Sequence, residues 1–436
     1  MILLLFLHML DIKFIRENKE VVEAGAKKKC IDIDLNALIT LDDKRKELLQ
    51  KIEGKRAEQG RQSIAIQNAP SPEARAELIK FMQELKVELG KEEDELKEIM
   101  KDWQKLMLQV PNIPDMTVPE GESDAQNVEV RTWGEAKTFS FQAKNHIDIM
   151  QKLDMADFDK GTEVAGFRGY FLKNAGAELS FAIWQYAKDF WMKRGFQFMI
   201  VPSMVRKQTL MGTGYIPGGE DDLYKTQDDD FLAGTGEVAT MSYFSDTTID
   251  KSKFPIKILA FSPCFRREAG SHSKDVKGLI RVHEFFKLEQ VVLCEADHAE
   301  SVKYHEEINK NTEEFIQSLG IPYHVVANCG GDLGLGQVKK YDIELWVPGE
   351  GKYREISSAS YFHDFQTRRL NIRYRDTEDL SADKAGKLRF AHSLNCTAIP
   401  TPRILVSLVE NYQQADGSVV IPEALRPYMG ERDVIK

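Results

Sequence analysis

The sequence predicts an α+β protein in which a long antiparallel helical hairpin precedes a larger domain of strands and helices. Three observations indicate this organisation. Residues 36–108 are rich in Glu, Lys, Gln, Leu and Ala, with one break around Pro70 and Pro72. Residues 110–127 hold three prolines and several acidic residues without periodicity, as in a linker. Beyond them, amphipathic helical runs mix with alternating strand-like runs.

Composition limits the class of protein. With 436 residues, 42% of them hydrophobic, the chain is long enough for two or three domains with a sizeable core. A net charge of −10 argues against a protein that coats nucleic acid, because such binding depends on neutralised phosphates. Five scattered cysteines without a CxxC pair indicate neither a disulfide framework nor a cysteine-rich zinc site, so a cytoplasmic location is expected.

The apolar start, MILLLFLH, is too short to span a bilayer and has no basic leader. We interpret it as an N-terminal extension rather than a targeting signal, and expect no membrane association.

Both helices of the hairpin show coiled-coil spacing. The predicted seam of the second helix consists of Leu78, Met82, Leu85, Leu89, Leu96, Ile99, Trp103 and Leu106, with Glu92 as a polar exception. Its partners in the first helix are Leu38, Leu41, Leu48 and Ile52. Helices of about 30 residues would make an arm of roughly 45 Å. The pattern fits either a structural or dimerising coiled coil or an RNA-binding arm.

A helix and a strand follow the linker. Residues 177–195 form an amphipathic helical pattern that carries Leu179, Ile183, Tyr186 and Phe190 on one face and stops at Gly195. Residues 196–205 then alternate like a strand up to Pro202. A core helix packed on a sheet explains these residues as well as a subunit interface does.

Residues 261–290 predict a hairpin that holds a polyanion. An arginine-bearing strand, a polar Gly/Ser/Lys loop and a returning apolar strand follow one another. Arg266 and Arg281 bracket the loop, and Phe285 offers a ring on which a base can stack. Arginine suits this site because its planar fork binds phosphate or carboxylate oxygens in pairs.

Other familiar nucleotide or catalytic patterns are missing. The chain has no GxxxxGK[ST] sequence, and GGDLGLG at residues 330–336 precedes a strand-like run, so we interpret it as a turn. Cys396 has no histidine spaced to activate it, and His272, His283 and His363 lack a metal-binding spacing.

Three further segments resemble one enzyme family. They are FLAGTGE ending at Glu237, REISSAS from Arg354, and NCTAIPTPRILVSLVENYQ from Asn395. With the 261–290 hairpin, they make the chain similar to the bacterial seryl-tRNA synthetases, which are class II aminoacyl-tRNA synthetases. The resemblance implies a tRNA-binding helical domain with a coiled-coil arm at residues 9–115. It implies a catalytic domain at residues 116–436, with a predominantly antiparallel sheet flanked by helices.

The resemblance also implies an activity and partners. The expected enzyme uses ATP and Mg²⁺ to convert L-serine to seryl-adenylate, then transfers serine to the 3′ end of tRNA-Ser, with tRNA-Sec left open as a further substrate. The arm would bind the tRNA, and the 177–205 segment would lie at the interface of a homodimer. Two rivals remain: a paralogue that adenylates but loads another acceptor, and a non-catalytic RNA-binding protein on the same scaffold.

Site residues carry over from the matching motifs. As catalytic residues the resemblance indicates Arg266 and Arg403. The serine contacts it indicates are Thr235, Gly236, Glu237, Glu289 and Thr397. The ATP contacts are Arg266, Arg267, Glu268, Val282, Phe285, Glu355, Ile356, Ser357, Ser358 and Arg403, with Glu355 and Ser358 also holding Mg²⁺. Two departures are Gly236, where alanine or another small residue is common, and NCTAIPTPR, which is less glycine-rich than some members.

Overall fold

The computed structural model describes residues 10–270, 275–376 and 386–436. The apolar start and the hairpin tip at 271–274, with His272, therefore lie outside the described residues. Two compact units form: a helical unit that includes residues 10–27 and 31–111, and a larger unit that includes residues 28–30 and the described residues from 112 to 436.

The helical unit is dominated by two long helices. Its helices are α1 (Ile12–Glu17), α2 (Lys19–Lys28), α3 (Leu35–Gln67) and α4 (Pro72–Gln109). Side-chain caps begin both long helices: Asp34 accepts a hydrogen bond from the backbone N–H of Ala37, and Ser71 accepts one from that of Ala74. Pro72 occupies the first turn of α4, where no backbone donor is needed. The predicted helical hairpin is confirmed.

The seam between α3 and α4 follows the predicted pattern except at one position near the end of α4. Its buried residues are Leu38, Leu48 and Ile52 on α3, and Leu85, Leu89, Trp103 and Met107 on α4. Met107 is buried where Leu106 was predicted, because a 3.6-residue helix drifts from a strict heptad. The polar exception also has an explanation, since Lys55 Nζ lies 3.0 Å from Glu92 Oε1 and 2.8 Å from Glu88 Oε2.

The larger unit is built on an eight-stranded sheet. Its strands are β1 (Val128–Trp133), β4 (Gln197–Ile200), β9 (Ile256–Phe265), β10 (Glu284–Cys294), β11 (Tyr323–Ala327), β12 (Lys339–Val347), β13 (Lys352–Tyr361) and β16 (His392–Thr401). Their order is β1-β11-β12-β13-β16-β10-β9-β4. Every neighbouring pair is antiparallel except β4 with β9. The predominantly antiparallel sheet is confirmed.

Helices and short sheets surround this sheet. The helices are α5 (His146–Lys152), α6 (Phe158–Ala165), α7 (Asn174–Met192), α8 (Lys207–Thr213), α9 (Gly236–Tyr243), α10 (His298–Ser318), α11 (Phe365–Arg369) and α12 (Arg403–Tyr412). The short strands are β2 (Ala156–Asp157), β3 (Phe171–Leu172), β5 (Met204–Val205), β6 (Tyr224–Lys225), β7 (Phe231–Leu232), β8 (Thr248–Ile249), β14 (Arg373–Asp376), β15 (Lys387–Phe390), β17 (Val419–Val420) and β18 (Val434–Ile435).

The main core lies between the sheet and helices α7, α10 and α12. Leu179 and Ile183 of the predicted helical pattern are fully buried in it, and Trp191 joins them. Tyr186 and Phe190 pack at its edge. Within the described ranges, no helix combines the length and apolar character needed to cross a bilayer.

Candidate active site

The β9–β10 hairpin places the predicted polyanion-binding residues. The two strands pair continuously from Phe265 opposite Glu284 to Ile256 opposite Leu293. Arg266 follows β9 directly, and its backbone N–H donates to the His283 carbonyl at 2.9 Å. Its guanidinium carbon lies 5.3 Å from the centroid of the Phe285 ring. A cation and an aromatic face therefore meet at one end of the hairpin.

Two β-bulges lie in the neighbouring strands at the same site. Between β12 and β13, Ser357 pairs with Ile343 and Glu355 with Glu344, so Ile356 is the additional residue. Between β10 and β16, Leu288 pairs with Ile399 and Glu289 with Thr397. Bulges change the direction of adjacent side chains and are common beside active sites. Here they flank Glu355 and Thr397, both predicted site residues.

These strands and α12 enclose one pocket. Its lining comprises Arg266, Glu268, Leu279, Ile280, Val282, Phe285, Lys287, Glu355, Ile356, Thr397, Pro400, Thr401, Pro402 and Arg403. Eight of the predicted site residues appear among them: Arg266, Glu268, Val282, Phe285, Glu355, Ile356, Thr397 and Arg403. The structure therefore brings together residues that are far apart in the chain, such as Arg266 and Arg403, which are separated by 137 positions.

The predicted serine residue Glu237 lies in a buried polar network at the start of α9. Tyr215 donates its hydroxyl to Glu237 Oε2 at 2.9 Å, and Gln366 Nε2 donates to Oε1 at 2.6 Å. Burial raises the pKa of the Glu237 carboxyl, and the nearby Glu289 adds to this effect. The two hydrogen bonds act in the opposite direction and hold the carboxylate in a fixed orientation.

Glu289 lies in a second network beside the first. Thr235 directs its hydroxyl to Glu289 Oε2 at 3.4 Å and accepts from the backbone N–H of Glu237 at 3.3 Å. Lys287 contacts both Thr235 and Glu289. Gly236 begins α9, and a Cβ there would lie 3.2 Å from Ser262 Oγ, which leaves little room for a larger residue.

The cationic side of the pocket is crowded with positive charge. Burial lowers the pKa of Arg403, and the neighbouring Arg266 and Arg281 lower it further against the opposing effect of Glu355. Arg403 is held in place because its Nε donates to the Ile280 carbonyl at 2.9 Å and its Nη1 to the Glu355 carbonyl at 3.1 Å. Clustered, oriented guanidinium groups form a site for a polyanion.

One predicted Mg²⁺ ligand, Glu355, lines this pocket, and among the described residues its carboxylate makes no hydrogen bond or ion pair. The other, Ser358, is not among the lining residues and is hydrogen-bonded to Asp342. The described ranges hold no group of three or more His, Cys, Asp or Glu side chains placed to bind a metal. A carboxylate, a hydroxyl and substrate phosphates would together supply the oxygen ligands that Mg²⁺ prefers.

Some predicted residues point elsewhere. Arg267 donates from Nη1 to the Asp221 carbonyl at 3.1 Å and does not line the pocket. Ser357 is buried behind it, where its hydroxyl donates to the Thr397 carbonyl at 2.5 Å. Arg281 does not line the pocket itself but forms an ion pair with Glu268, which does.

Sequence reasoning missed several residues of the site. Lys287 shares a face of β10 with Phe285 and Glu289 because side chains alternate along a strand, and that spacing was a usable signal. Tyr215 and Gln366 come from distant segments, and no spacing in the sequence indicated them. His146 does not line the pocket but supports it: its Nε2 accepts from the backbone N–H of the lining residue Leu279 at 3.2 Å, while its Nδ1 lies 3.0 Å from Glu410 Oε1 on α12.

Comparisons with known proteins agree on one family. A family profile described as "Seryl-tRNA synthetase N-terminal domain" matches residues 9–114. A second, "tRNA synthetase class II core domain (G, H, P, S and T)", matches residues 224–412. A serine–tRNA ligase of Deinococcus radiodurans is 44% identical over 98% of this chain and 99% of its own. One of Thermodesulfovibrio yellowstonii is 42% identical over 98% of this chain and 100% of its own.

Solved structures give the same result. A seryl-tRNA synthetase from Pyrococcus horikoshii, complexed with ATP, superposes with a TM-score of 0.87 and 37% identity, covering 98% of this chain and 99% of that one. A cytoplasmic serine–tRNA ligase from Naegleria fowleri, in complex with AMP, gives a TM-score of 0.84 and 33% identity over the same shares.

Proposed function

Because the chain belongs to the seryl-tRNA synthetase family and is an ATP-dependent serine–tRNA ligase, we propose that the pocket described above is where serine is activated. A serine carboxylate oxygen attacks the α-phosphorus of ATP, the bond to the bridging oxygen breaks, and pyrophosphate leaves. A hydroxyl of the terminal tRNA ribose then attacks the seryl carbonyl carbon and releases AMP. The observation that carries this assignment is the convergence of Arg266, Phe285, Glu355 and Arg403 on one pocket.

The arginines supply electrostatic stabilisation. In the first step, negative charge accumulates on oxygens that already carry it, so oriented cations matter more than a general base. We assign Arg266 to the α-phosphate and the serine carboxylate, and Arg403 to the outer phosphates. Arg403 begins α12, and the N-terminus of a helix adds a favourable field for phosphate. Phe285 would stack on the adenine.

The proposed serine subsite is formed by Thr235, Gly236, Glu237, Glu289 and Thr397. Glu289 and Thr397 are paired across β10 and β16, which places them side by side. A site that hydrogen-bonds the serine hydroxyl rejects alanine strongly, because a buried partner would be left unpaired. Threonine is excluded only by room for its methyl group, which is a weaker filter.

We assign Mg²⁺ to Glu355 and Ser358. These two residues would hold the ion, and the ion would supply positive charge that offsets the charge of the phosphates. Glu355 fits this role because its carboxylate faces the pocket with no partner among the described residues. Arg267 and Ser357 stay predictions as ATP contacts.

The proposal includes a homodimer. Phe181 on α7 is 61% exposed and Ile200 on β4 is 75% exposed, and Met192 and Met204 are also exposed. Apolar residues grouped along residues 181–204 favour a surface covered by a second copy of the chain. The arm formed by α3 and α4 is proposed to bind tRNA-Ser through shape and phosphate contacts, and tRNA-Sec is proposed as a second substrate. A cytoplasmic location completes the proposal; all five cysteines are unpaired.

One experiment tests the activation step. Exchange of labelled pyrophosphate into ATP is measured with each of the twenty amino acids, with and without Mg²⁺. We expect exchange with serine alone, and none after Mg²⁺ is chelated. Exchange with a different amino acid contradicts the serine subsite. Serine exchange without charging of tRNA-Ser transcript would point to a different acceptor.

A further inference from the structure

The amino-acid subsite contains a buried lysine that the assignment above does not use. Lys287 is 5% exposed and points from β10 into the pocket. Its ammonium donates to Thr235 Oγ1 at 2.7 Å and forms an ion pair with the Glu289 carboxylate. Since the Thr235 hydroxyl also faces Glu289 at 3.4 Å, the ammonium, the hydroxyl and the carboxylate form a closed triangle.

The second carboxylate of the subsite is satisfied differently. Glu237 is held by the neutral donors Tyr215 and Gln366 at 2.9 and 2.6 Å. The Lys287 ammonium is therefore paired with Glu289, whereas Glu237 has no direct cationic partner among the described residues. The two acidic groups are not equivalent.

We propose that Lys287 determines the charge selectivity of the subsite, so that it accepts a zwitterionic amino acid and rejects a cationic amine. This inference rests on the proposed function, since it concerns the same subsite. The fixed charges are two carboxylates, Glu237 and Glu289, opposed by two cations, Lys287 and Arg266. Serine brings one charge of each sign. Without the Lys287 charge the subsite is more negative, and a ligand that has an ammonium but no carboxylate gains relative to serine.

Two serine analogues of opposite charge measure this property. One is 2-amino-1,3-propanediol, which is a cation at pH 7 and lacks the carboxylate. The other is glycerate, which is an anion and has a hydroxyl in place of the ammonium. Each is used as an inhibitor of serine-dependent pyrophosphate exchange. The readout is the inhibition constant of glycerate divided by that of the amino diol.

Removing the lysine charge is expected to raise this ratio. In Lys287→Met we expect a rise of about tenfold or more, because a unit charge a few ångströms away in a partly buried site changes affinity by at least that factor. Lys287→Arg retains the charge and should keep the wild-type ratio. The matched control is Lys257→Met, which removes a lysine of the adjacent strand β9 that is paired with Glu307 on α10, and it should also leave the ratio unchanged.

Further variants keep the test decisive if Lys287→Met fails to fold, since it leaves Glu289 buried without its cation. Glu289→Gln removes a negative charge instead of a positive one, so it should lower the ratio. Adding Lys287→Met to Glu289→Gln restores the wild-type charge, and the ratio should return towards the wild-type value. The two backgrounds are the wild-type protein and Glu289→Gln. If the variants are folded and Lys287→Met changes the ratio less than about twofold in either of them, the proposal is wrong.

The outcomes also separate the two levels of inference. If the wild-type protein shows no serine-dependent exchange, the proposed function fails. If the wild type is active but the ratio does not follow the Lys287 charge, only this inference fails, and Lys287 is a structural ion-pair partner.

Discussion

At the scale of single residues, the site depends on where charge is placed. Arg266 and Arg403 are both partly buried cations with fixed backbone or ring contacts, and both face a pocket lined by Glu355 and Glu268. Oriented groups of this kind stabilise a transition state because they need no reorganisation when charge develops. Removing one of them should therefore affect the rate more than the fold.

Arg266→Ala is expected to lower kcat/KM for serine-dependent pyrophosphate exchange by about 100- to 1,000-fold or more, since one preorganised donor to a developing charge is lost. Binding of tRNA-Ser, measured by filter retention, should largely persist. The matched control is Arg432→Ala, which removes an arginine paired with Glu178 away from the pocket. Unchanged turnover in Arg266→Ala would refute its assignment.

The sequence allowed the motif residues to be predicted, but not the residues that contact them. Arg266, Phe285 and Glu289 could be predicted because they lie on one hairpin whose strands show a clear alternation of side chains. Tyr215 and Gln366 were not, because their contacts with Glu237 arise only when separate loops and helices pack together. Periodicity reports local geometry and carries no information about such distant contacts.

At the scale of elements, the helical hairpin was the most predictable part. Its capping residues, its apolar spacing and its turn are all local in sequence, so α3 and α4 match the expected ranges closely. The bulges at Ile356 and Ala398 were not predictable, because they depend on the register between strands. Those bulges set the direction of Glu355 and Thr397.

Shortening the arm should separate the two steps of the reaction. Lys55 Nζ lies 2.8 Å from Glu88 Oε2, so the two helices are adjacent there and can be rejoined. Replacing residues 57–87 by a short Gly-Ser turn should leave serine-dependent pyrophosphate exchange near the wild-type rate. Charging of tRNA-Ser should fall at least about tenfold, because the contacts proposed between the arm and the tRNA would be lost. If pyrophosphate exchange and tRNA charging fell equally, the separation of the two steps would be contradicted.

At the scale of the whole molecule, one buried and two partly buried histidines make stability depend on pH. Burial lowers the pKa of His305, His363 and His392 to about 4 in each case. In the unfolded chain a histidine titrates near pH 6.5. Between these values the unfolded state binds more protons, so the free energy of unfolding falls as the pH decreases from about 6.5 to about 4.

This prediction is checked with urea unfolding midpoints at several pH values between 7.5 and 4.5. The midpoint should be constant above about pH 7 and decrease below about pH 6.5. His305→Gln keeps a donor for the Ala359 carbonyl, which lies 2.9 Å from His305 Nε2, but does not titrate. It should reduce the pH dependence by about one third, as one of the three histidines is removed. A midpoint that does not change over the acidic range would contradict the assignment.

The proposed dimer makes a prediction of its own. Ile200→Asp places a charge on an apolar surface of α7 and β4 and should shift the protein from dimer to monomer in sedimentation velocity. Val164→Asp, at an exposed residue on α6, is a control for the added charge. A wild-type protein that sediments as a monomer at micromolar concentration would contradict the dimer.

The contacts of α7 have a consequence for how the enzyme behaves on dilution. Trp184 packs on Phe261 and Phe286, with ring centroids 5.3 Å apart in both cases, and these two phenylalanines belong to the hairpin that carries Arg266 and Phe285. The helix proposed to meet a second copy therefore also supports the strands that are proposed to bind the nucleotide. Turnover per molecule should then decline over time after the protein is diluted below its association range, and it should recover when the protein is concentrated again.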